Sequence, residues 1–387
     1  MTKLKPYWWE LTKRPAASEQ QALPKEVDIL IVGAGLTGLS AARTAAKAGQ
    51  SVLVVDQHSP GFGASSRNGG MLGGGHKLSI AEMTARYGEH IALGLLREAH
   101  LDSADFVRKV MTEEAIDCDH DQVGRFRGFW HTHEYETTAR ELEQLQKLLP
   151  IEASLLSQAQ QHQAVASDLY RGGVVYHQHA AINPAKWVFG LHRAAVDHGA
   201  LIQGNTAVLG LQKSSHGYLV KTVRGLVKAG KVLLATNGYT PPQMAALHRR
   251  VFPVPSFIIT TENLGRERIK QLFPSDMMVV ESRARHCYYR PSPDKTRIVF
   301  GARAALFDAP EKFAMGQLRK LLGQVFPQLG QIDISHSWRG FTGFSFEFMP
   351  HVGQIDGVWH AVGYSGNGNT LAPWLGHKAA LQMIGDP

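Results

Sequence analysis

The chain has 387 residues, 44% of them hydrophobic and 19% charged, with a formal charge of +8. At about 150 residues per domain this length predicts two or three compact units, and no apolar run reaches the roughly 18 residues that a membrane-spanning helix needs. The Lys and Arg residues are scattered rather than gathered into a basic run or face, which argues against nucleic acid as a partner, while the positive field would draw in an anionic cofactor or a carboxylate substrate.

The first 26 residues read as an irregular lead-in, because Pro6, Pro15 and Pro24 prevent a long helix. They also lack the apolar stretch of a secretory signal, so cytoplasmic residence is expected. Val27 to Val32 is a short β-branched run, Leu36 to Ala48 has helical spacing of apolar residues, and Gln50 to Asp56 reads as a second strand; together they make a βαβ unit. Ile80, Met83, Tyr87, Ile91, Leu95 and Ala99 recur at spacings of three and four, which predicts one or two long helices between Ser79 and Val110. A strand is expected over Gly124 to Thr132, and a helix from Tyr135 to Leu149, stopped by Pro150. Another helix runs from Pro184 to His198 and ends at Gly199.

Short strands are expected at Leu201 to Leu211, Tyr218 to Arg224 and Gly230 to Ala235, then at Ser256 to Glu262, Met277 to Glu281, His286 to Pro291 and Arg297 to Gly301. Glycine-rich turns and a final helix near Pro373 to Ile384 close the chain. No internal repeat or low-complexity segment interrupts this order, and the alternation predicts two interleaved domains rather than two consecutive ones. Only Cys118 and Cys287 are present, outside any C-x-x-C spacing, so neither a disulfide framework nor a thiol redox centre is expected.

Gly33, Gly35 and Gly38, with Leu36 and Thr37 between them, sit where the first strand turns into a helix. In that context Gly33 permits the tight turn, Gly35 lets the backbone approach a pyrophosphate, and Gly38, with Ala42 one turn later, allows close helix packing. The helix N-terminus offers N–H groups and partial positive charge to phosphates. Asp56, with Gln57 beside it, closes the second strand about 20 residues on, where a carboxylate accepts from ribose hydroxyls. Such a charge-assisted bond is worth about 1.5 to 3 kcal/mol. An acid there repels a 2′-phosphate, so FAD or NAD is expected rather than NADP.

Three further segments decide between those two. They are the loop Gly63-Ala64-Ser65-Ser66-Arg67-Asn68-Gly69-Gly70, the turn Ala235-Thr236-Asn237-Gly238-Tyr239, and Gly363-Tyr364-Ser365-Gly366-Asn367-Gly368-Asn369-Thr370 before the last helix. With the fingerprint, they make the chain resemble, from about Tyr7 onward, the D-amino-acid-oxidase-like flavoproteins, the family of glycine oxidase and sarcosine oxidase. Within that family the Trp8-Trp9 lead-in and the 63–70 loop look most like gamma-glutamylputrescine oxidases. The resemblance implies an α/β fold: a Rossmann-like FAD-binding domain from 1–78, 166–245 and 336–387, interleaved with a substrate domain from 79–165 and 246–335. The substrate domain is expected to be α+β, built on a mainly antiparallel sheet with helices.

By the same resemblance, Ser65, Ser66, Arg67, Asn68, Gly69 and Gly70 lie against the isoalloxazine. Thr206, Ala207 and Val208 contact the adenine side, and Thr236, Asn237 and Gly238 belong to the cofactor site. Gly366, Asn367, Gly368, Asn369 and Thr370 face the flavin pyrimidine, where helix-terminal N–H groups stabilise reduced flavin. The chain departs from the family in three ways: Asn367 stands where a histidine is common, Asp56 is shorter than the usual glutamate, and the sequence ends soon after Ile384 where many members carry a tail. No cysteine aligns with the flavin-linking position of sarcosine oxidases, so non-covalent FAD is expected.

The implied activity is oxidation of a small primary or secondary amine or amino acid by hydride transfer to flavin N5, giving an imine that hydrolyses, with dioxygen as the final acceptor. Two alternatives stay open at this point. One is a dehydrogenase passing electrons to a quinone or carrier protein, with the aromatic, basic N-terminus at a membrane surface; the other is an FAD-binding protein without amine chemistry. In the strand His286 to Pro291, Tyr288 and Arg290 share one face at period two and form a candidate carboxylate clamp. The His131/His133 and His177/His179 pairs lack an evident third ligand, so no metal is expected. Trp338, Phe341, Phe344, Phe346 and Phe348 are candidates for a pocket beside the flavin, and Glu347 for a polar contact there.

Overall fold

In the computed structural model, which describes residues 1–15, 21–284, 286–303 and 309–386, regular structure begins with β1 (Glu26–Val32), α1 (Leu36–Lys47) and β2 (Val52–Val55). This is the expected βαβ unit; residues 16–20 of the lead-in lie outside the described residues. The one-turn helix α2 (Ala64–Arg67) and the short β3 (Met71–Leu72) follow. Gly88 splits the next helical stretch into α3 (Ile80–Tyr87) and α4 (Glu89–Arg97), and a π-helical turn over Glu98–Asp102 joins α4 to α5 (Ser103–Glu113). Three helices therefore stand where one or two were expected.

Next come β4 (Arg125–Gly128), α6 (His133–Leu148), β5 (Ala153–Leu156), β6 (Gly173–Tyr176), β7 (Ala180–Ala181) and α7 (Pro184–Asp197). The single strand expected from Leu201 to Leu211 is two, β8 (Leu201–Gln203) and β9 (Val208–Ser214), and β10 (Gly217–Thr222) and β11 (Gly225–Leu234) complete a meander. After α8 (Ala245–His248) come β12 (Val251–Thr261), α9 (Arg266–Leu272), β13 (Met278–Glu281), β14 (Tyr288–Pro291) and β15 (Ile298–Ala302). The last stretch holds more order than glycine-rich turns: α10 (Glu311–Val325), β16 (Ile334–Ser345), β17 (His351–Ile355), β18 (Val358–Val362) and α11 (Gly368–Ile384). Helix α11 starts at Gly368, so Pro373 lies inside it rather than opening it.

Two eight-stranded sheets organise the chain. The first has the order β17-β18-β11-β1-β2-β8, with β10 and β9 attached to β11, and its centre is parallel. Parallel strands covered on both faces read as continuous apolar runs, and every residue of β2 is buried. The second sheet has the order β16-β12-β15-β14-β13-β4-β6-β5 and is antiparallel except for the β13–β4 pair. The sheet composition is thus the α/β and mainly antiparallel combination expected from the sequence. Both β6 and β16 belong to this second sheet, whereas the sequence reading allotted 166–245 and 336–387 to the dinucleotide-binding unit.

Register in the second sheet aligns Trp338, Ile258, Gly301, Tyr288, Val280 and Arg127 in one row across six strands. Directly paired residues face the same side, so this row puts Tyr288 and Arg127 on one face, two strands or about 10 Å apart.

Helix α1 lies sandwiched by the core, with all but one of its residues buried. It can settle there only where side chains vanish: a Cβ on Gly38 would overlap the carbonyl oxygen of Gly33, and one on Gly376 of α11 would overlap that of Thr37. Overpacking of this kind costs about 1–3 kcal/mol. Gly38→Ala is therefore expected to lower the unfolding free energy of the apoprotein by about that amount, read by urea denaturation; an unchanged midpoint would contradict the packing described.

Candidate active site

Between β1 and α1 the backbone turns through Gly33 at φ +109°, a conformation that favours glycine, and its N–H donates to Val55 O at 2.8 Å. A Cβ on Gly33 would come within 2.8 Å of Ala235 O, and one on Gly35 within 2.9 Å of Ser65 Oγ. Asp56 braces this turn: one carboxylate oxygen accepts from Ala34 N–H at 2.8 Å and the other from His58 N–H at 2.8 Å. Burial pushes the Asp56 carboxyl up, and these two donors offset only part of that. A carboxylate has about four acceptor positions, so two bonds leave room for ribose hydroxyls.

A cleft of about 300 Å³ opens over this turn. Of the residues expected to hold a cofactor, Gly33, Gly35, Leu36, Thr37, Asp56, Gln57, Ser65, Asn68, Ala207, Val208, Thr236, Asn237, Gly366, Gly368 and Asn369 line it. The N-termini of α1 and α11 both reach it, and neither has a side-chain cap from its own N-cap residue, Gly35 or Asn367. Two sets of helix-terminal N–H groups thus face one cleft, the arrangement that binds anionic groups. Thr37 Oγ1 and Tyr364 OH, 2.7 Å apart, tie the two helix starts together. At the far end Val208, Leu209 and Met244 make an apolar wall. Glycine cradle, helix termini, carboxylate and apolar end suit, in that order, a dinucleotide with an anionic middle and a flat heterocycle.

The 64–70 loop is held from behind by three indoles. Trp8 Nε1 donates to Asn68 O at 2.8 Å, Trp9 Nε1 to Ser66 Oγ at 2.9 Å, and Trp338 Nε1 to Arg67 O at 2.7 Å. At about 0.5–1.5 kcal/mol for each bond, the clamp is a substantial restraint on one short loop. From the front, Asn369 Nδ2 donates to Asn68 Oδ1 at 2.9 Å and to Met71 O at 3.0 Å. The Trp8-Trp9 lead-in is therefore part of the site's scaffold, a role that sequence spacing does not reveal.

Beyond this loop lies a second, larger cavity of about 820 Å³. Arg67, Gly69 and Asn367 line it rather than the cleft, and Asn367 Nδ2 donates to Gly75 O. Ala64, Asn68, Thr342, Gly366 and Asn369 line both spaces, so the two meet at a common wall. Other expected contacts serve packing. Ser66 is buried beneath Trp9, Gly38 seats α1, Gly70 packs under Arg290, Gly238 abuts Gly343 and Phe341, and Thr370 is buried within α11.

Of the two residues of the expected carboxylate clamp, only Tyr288 lines the second cavity. Tyr288 faces the second cavity, its hydroxyl 2.8 Å from Ser256 Oγ, and burial pushes its phenol up to about 12. Arg290 does not line that cavity. Loop residue Gly70 covers it, its guanidinium donates to Ile182 O at 2.7 Å and stacks 5.2 Å from the Trp8 ring, and only 3% of the residue is exposed. The period-two argument placed both side chains on one face; Gly70, Ile182 and Trp8, from remote segments, then enclose one of them.

Cations that sequence reasoning passed over take its place. Arg125, Arg127, Arg303 and Lys77 line the cavity, with Arg125 and Arg127 alternating along β4 so that both face it. Burial, then the charges of Lys77, Arg303 and Arg125, hold His286 down to about 3, and burial, then His76 and Arg125, hold His100 down to about 4. Both imidazoles are neutral near pH 7, and the field that surrounds them is positive.

Of the aromatic candidates, Phe344 and Phe348 line this cavity, Trp338 clamps the loop, Phe341 packs on Tyr239, and Phe346 is 73% exposed. Glu347 sits 3.1 Å from His351 away from the cavity lining. The His131 and His133 rings stack on each other, His177 contacts Ser154, and His179 stacks on Tyr176; among the described residues no group of three or more His, Cys, Asp or Glu is placed to hold a metal. Among them, too, no helix is long and apolar enough to cross a membrane.

Comparison with known proteins agrees with the cleft. A family model described as FAD dependent oxidoreductase (DAO) matches residues 28–381. The chain is 30% identical to a probable oxidoreductase, OrdL, of Haemophilus influenzae, over 94% of this chain and 84% of that protein. It is also 30% identical to gamma-glutamylputrescine oxidoreductase of Escherichia coli, over 93% of this chain and 84% of that protein. Among solved structures, glycine oxidase from Geobacillus kaustophilus matches with a TM-score of 0.76 at 20% identity, covering 94% of this chain and 96% of that one. A glycine-lined cleft between two helix starts, matched by the family over nearly the whole length, places the chain in the DAO family of FAD-dependent oxidoreductases.

Proposed function

We propose that this flavoprotein oxidises a small primary or secondary amine or amino acid, with dioxygen as the final electron acceptor. The observation that carries the reading is the common wall of Ala64, Asn68, Thr342, Gly366 and Asn369 between a glycine-lined cleft and a cationic cavity. The names of the relatives, an oxidoreductase of gamma-glutamylputrescine and a glycine oxidase, agree with amine chemistry at such a wall.

In this reading the unit around the first sheet holds the cofactor and the unit around the second holds the substrate. Thr37 N–H at the start of α1 and the Ser65 hydroxyl, which accepts from Leu36 N–H at 3.0 Å, bind the diphosphate, Gly35 leaves the space for it, and Asp56 accepts from the ribose. Ala207 and Val208 line the adenine end, and the start of α11 at Gly368 faces the flavin edge where negative charge collects. Cys118 and Cys287 are both buried outside the cleft, their thiols pushed up to about 12 first by burial and then by nearby carboxylates, which supports non-covalent retention.

When bound, FAD supplies a two-electron acceptor for the hydride on the carbon that carries the neutral amine. The chain's own residues orient and protect that carbon. Tyr288, with Arg303 on the adjacent strand edge, binds the substrate's anionic group, and the positive field of the cavity favours the unprotonated amine. The indole clamp keeps the 64–70 loop from drifting, which sets the approach distance on which such transfers depend. The amine loses two electrons and two protons, the imine takes up water to give a carbonyl compound and ammonia or an amine, and dioxygen leaves as hydrogen peroxide.

Two measurements test this. In Gly35→Val the added side chain would fill the cradle beside Ser65, so the variant is expected to emerge from gel filtration colourless while wild type stays yellow; a stably yellow variant would place the cofactor elsewhere. Photoreduced enzyme mixed with air-saturated buffer in a stopped-flow cell should regain its flavin absorbance within the time of turnover. Recovery much slower than turnover would remove dioxygen from the scheme in favour of another acceptor.

A further inference from the structure

The second cavity holds more positive charge than one substrate carboxylate requires. Arg125, Arg127 and Arg303 form no ion pair with any described carboxylate, and Lys77 stands exposed at the same cavity. Three acids, Glu82, Glu141 and Glu281, also line the cavity, fewer than its cations, and Glu82 accepts from Ser79 N–H at 2.8 Å. Glu281 is paired with Arg283, and Glu134 accepts from Trp130 N–H and His131 N–H at 2.8 and 2.7 Å and from Ser282. Arg125 Nε is buried with no hydrogen-bond partner among the described residues. Burial, with the neighbouring charge of Arg127 acting in the same direction, brings Arg125 down to about 10. Like charges gathered in one cavity repel one another, and an unsatisfied guanidinium nitrogen costs free energy; an oxyanion relieves both at once.

The position of these cations along the sheet separates them from the reacting centre. Tyr288 stands on β14 beside Gly69, the neighbour of Asn68 in the common wall, while Arg127 shares its row two strands away, about 10 Å across the sheet. An anion held by Arg125 and Arg127 is therefore not the group next to the reacting carbon but one at the other end of the molecule.

We propose that Arg125 and Arg127, with Lys77 at the cavity mouth, form a subsite for a distal oxyanion, so that the preferred substrates are acidic amines carrying a carboxylate or phosphonate several bonds from the oxidised carbon. The inference rests on the amine-oxidising reading and deepens it. It names the substrate class by charge and reach, with no commitment to a particular metabolite.

The test uses FAD-loaded enzyme and non-oxidisable probes, so that binding is read apart from turnover. Glutarate, 3-phosphonopropionate and butyrate are titrated while the flavin spectrum and the heat of binding are followed. At least one of the two dianions is expected to bind roughly tenfold or more tightly than butyrate, and the tighter of them identifies the oxyanion. Arg127→Gln and Arg125→Gln should shrink that gap, Arg127→Lys should retain part of it, and the wild-type gap should narrow with added salt. Dianions no tighter than butyrate, or a gap untouched by both Gln variants, would overturn the subsite.

Turnover of matched pairs, each enantiomer of glutamate against glutamine and 4-aminobutyrate against butylamine, separates the two levels. Amines oxidised without preference for the acidic member, alongside equal probe binding, sink the subsite and leave the amine reading standing. Tight dianion binding with no amine that bleaches the flavin supports the anion subsite and defeats the amine reading.

Discussion

Helices α1 and α11 touch where Gly376 carries no side chain and meets the Thr37 backbone, while Gly38 lets α1 settle on the Gly33 turn, and this packing governs the site. Because their backbones meet, both helix starts point into one cleft, Leu36 from one side and Gly368 from the other. Helix-terminal N–H groups are short-range donors whose influence fades within a turn, so two of them cooperate on one ligand only if the helices are brought this close. The Thr37–Tyr364 hydroxyl contact then fixes their relative rotation. In the proposed reading, a single piece of packing thus positions both the phosphate end and the redox end of the cofactor.

The loop from 64 to 70 links that packing to the second cavity, which the proposed reading makes the reaction site. Asn68 receives Asn369 from α11 on one side and Trp8 from the N-terminal segment on the other. A loop held from both faces has little freedom, and its Ala64 and Asn68 belong to the wall between the cleft and the second cavity. Charge is divided across the same wall. On the cofactor side the acid Asp56 grips the turn, and on the substrate side guanidinium groups crowd a cavity in which His100 and His286 stay neutral. The division suits an anionic cofactor middle bound by backbone dipoles and an anionic substrate bound by side chains.

Legibility in the sequence followed how local each feature is. The strand, glycine turn, helix and acid of residues 27–56 lie within one βαβ unit, so spacing alone located them, and the structure brings those residues together as expected. Strand β16 escaped notice because Gly340 and Gly343 read as turn residues, whereas in the sheet they leave room for Arg67 and for Asn237 from other segments. Pro373 read as a helix start because proline favours a first turn, yet α11 begins five residues earlier at Gly368, where its N-terminus meets the cleft. Arg290 was placed on its face but not under its cover, since the covering residues Trp8, Gly70 and Ile182 come from remote segments and nothing near Arg290 encodes them. The Arg125–Arg127 alternation was visible at period two; its meaning required the pairing of β4 with β13, which only the folded sheet reveals.

The measurement that bears most directly on this account is a crystal structure of the FAD complex. The account requires the diphosphate at the Leu36–Thr37 start of α1 with the adenosine ribose on Asp56, and the isoalloxazine at the wall formed by Asn68, Gly366 and Asn369. A cofactor lying with its diphosphate away from the Gly33–Gly38 turn, or with its ring system outside that wall, would contradict it.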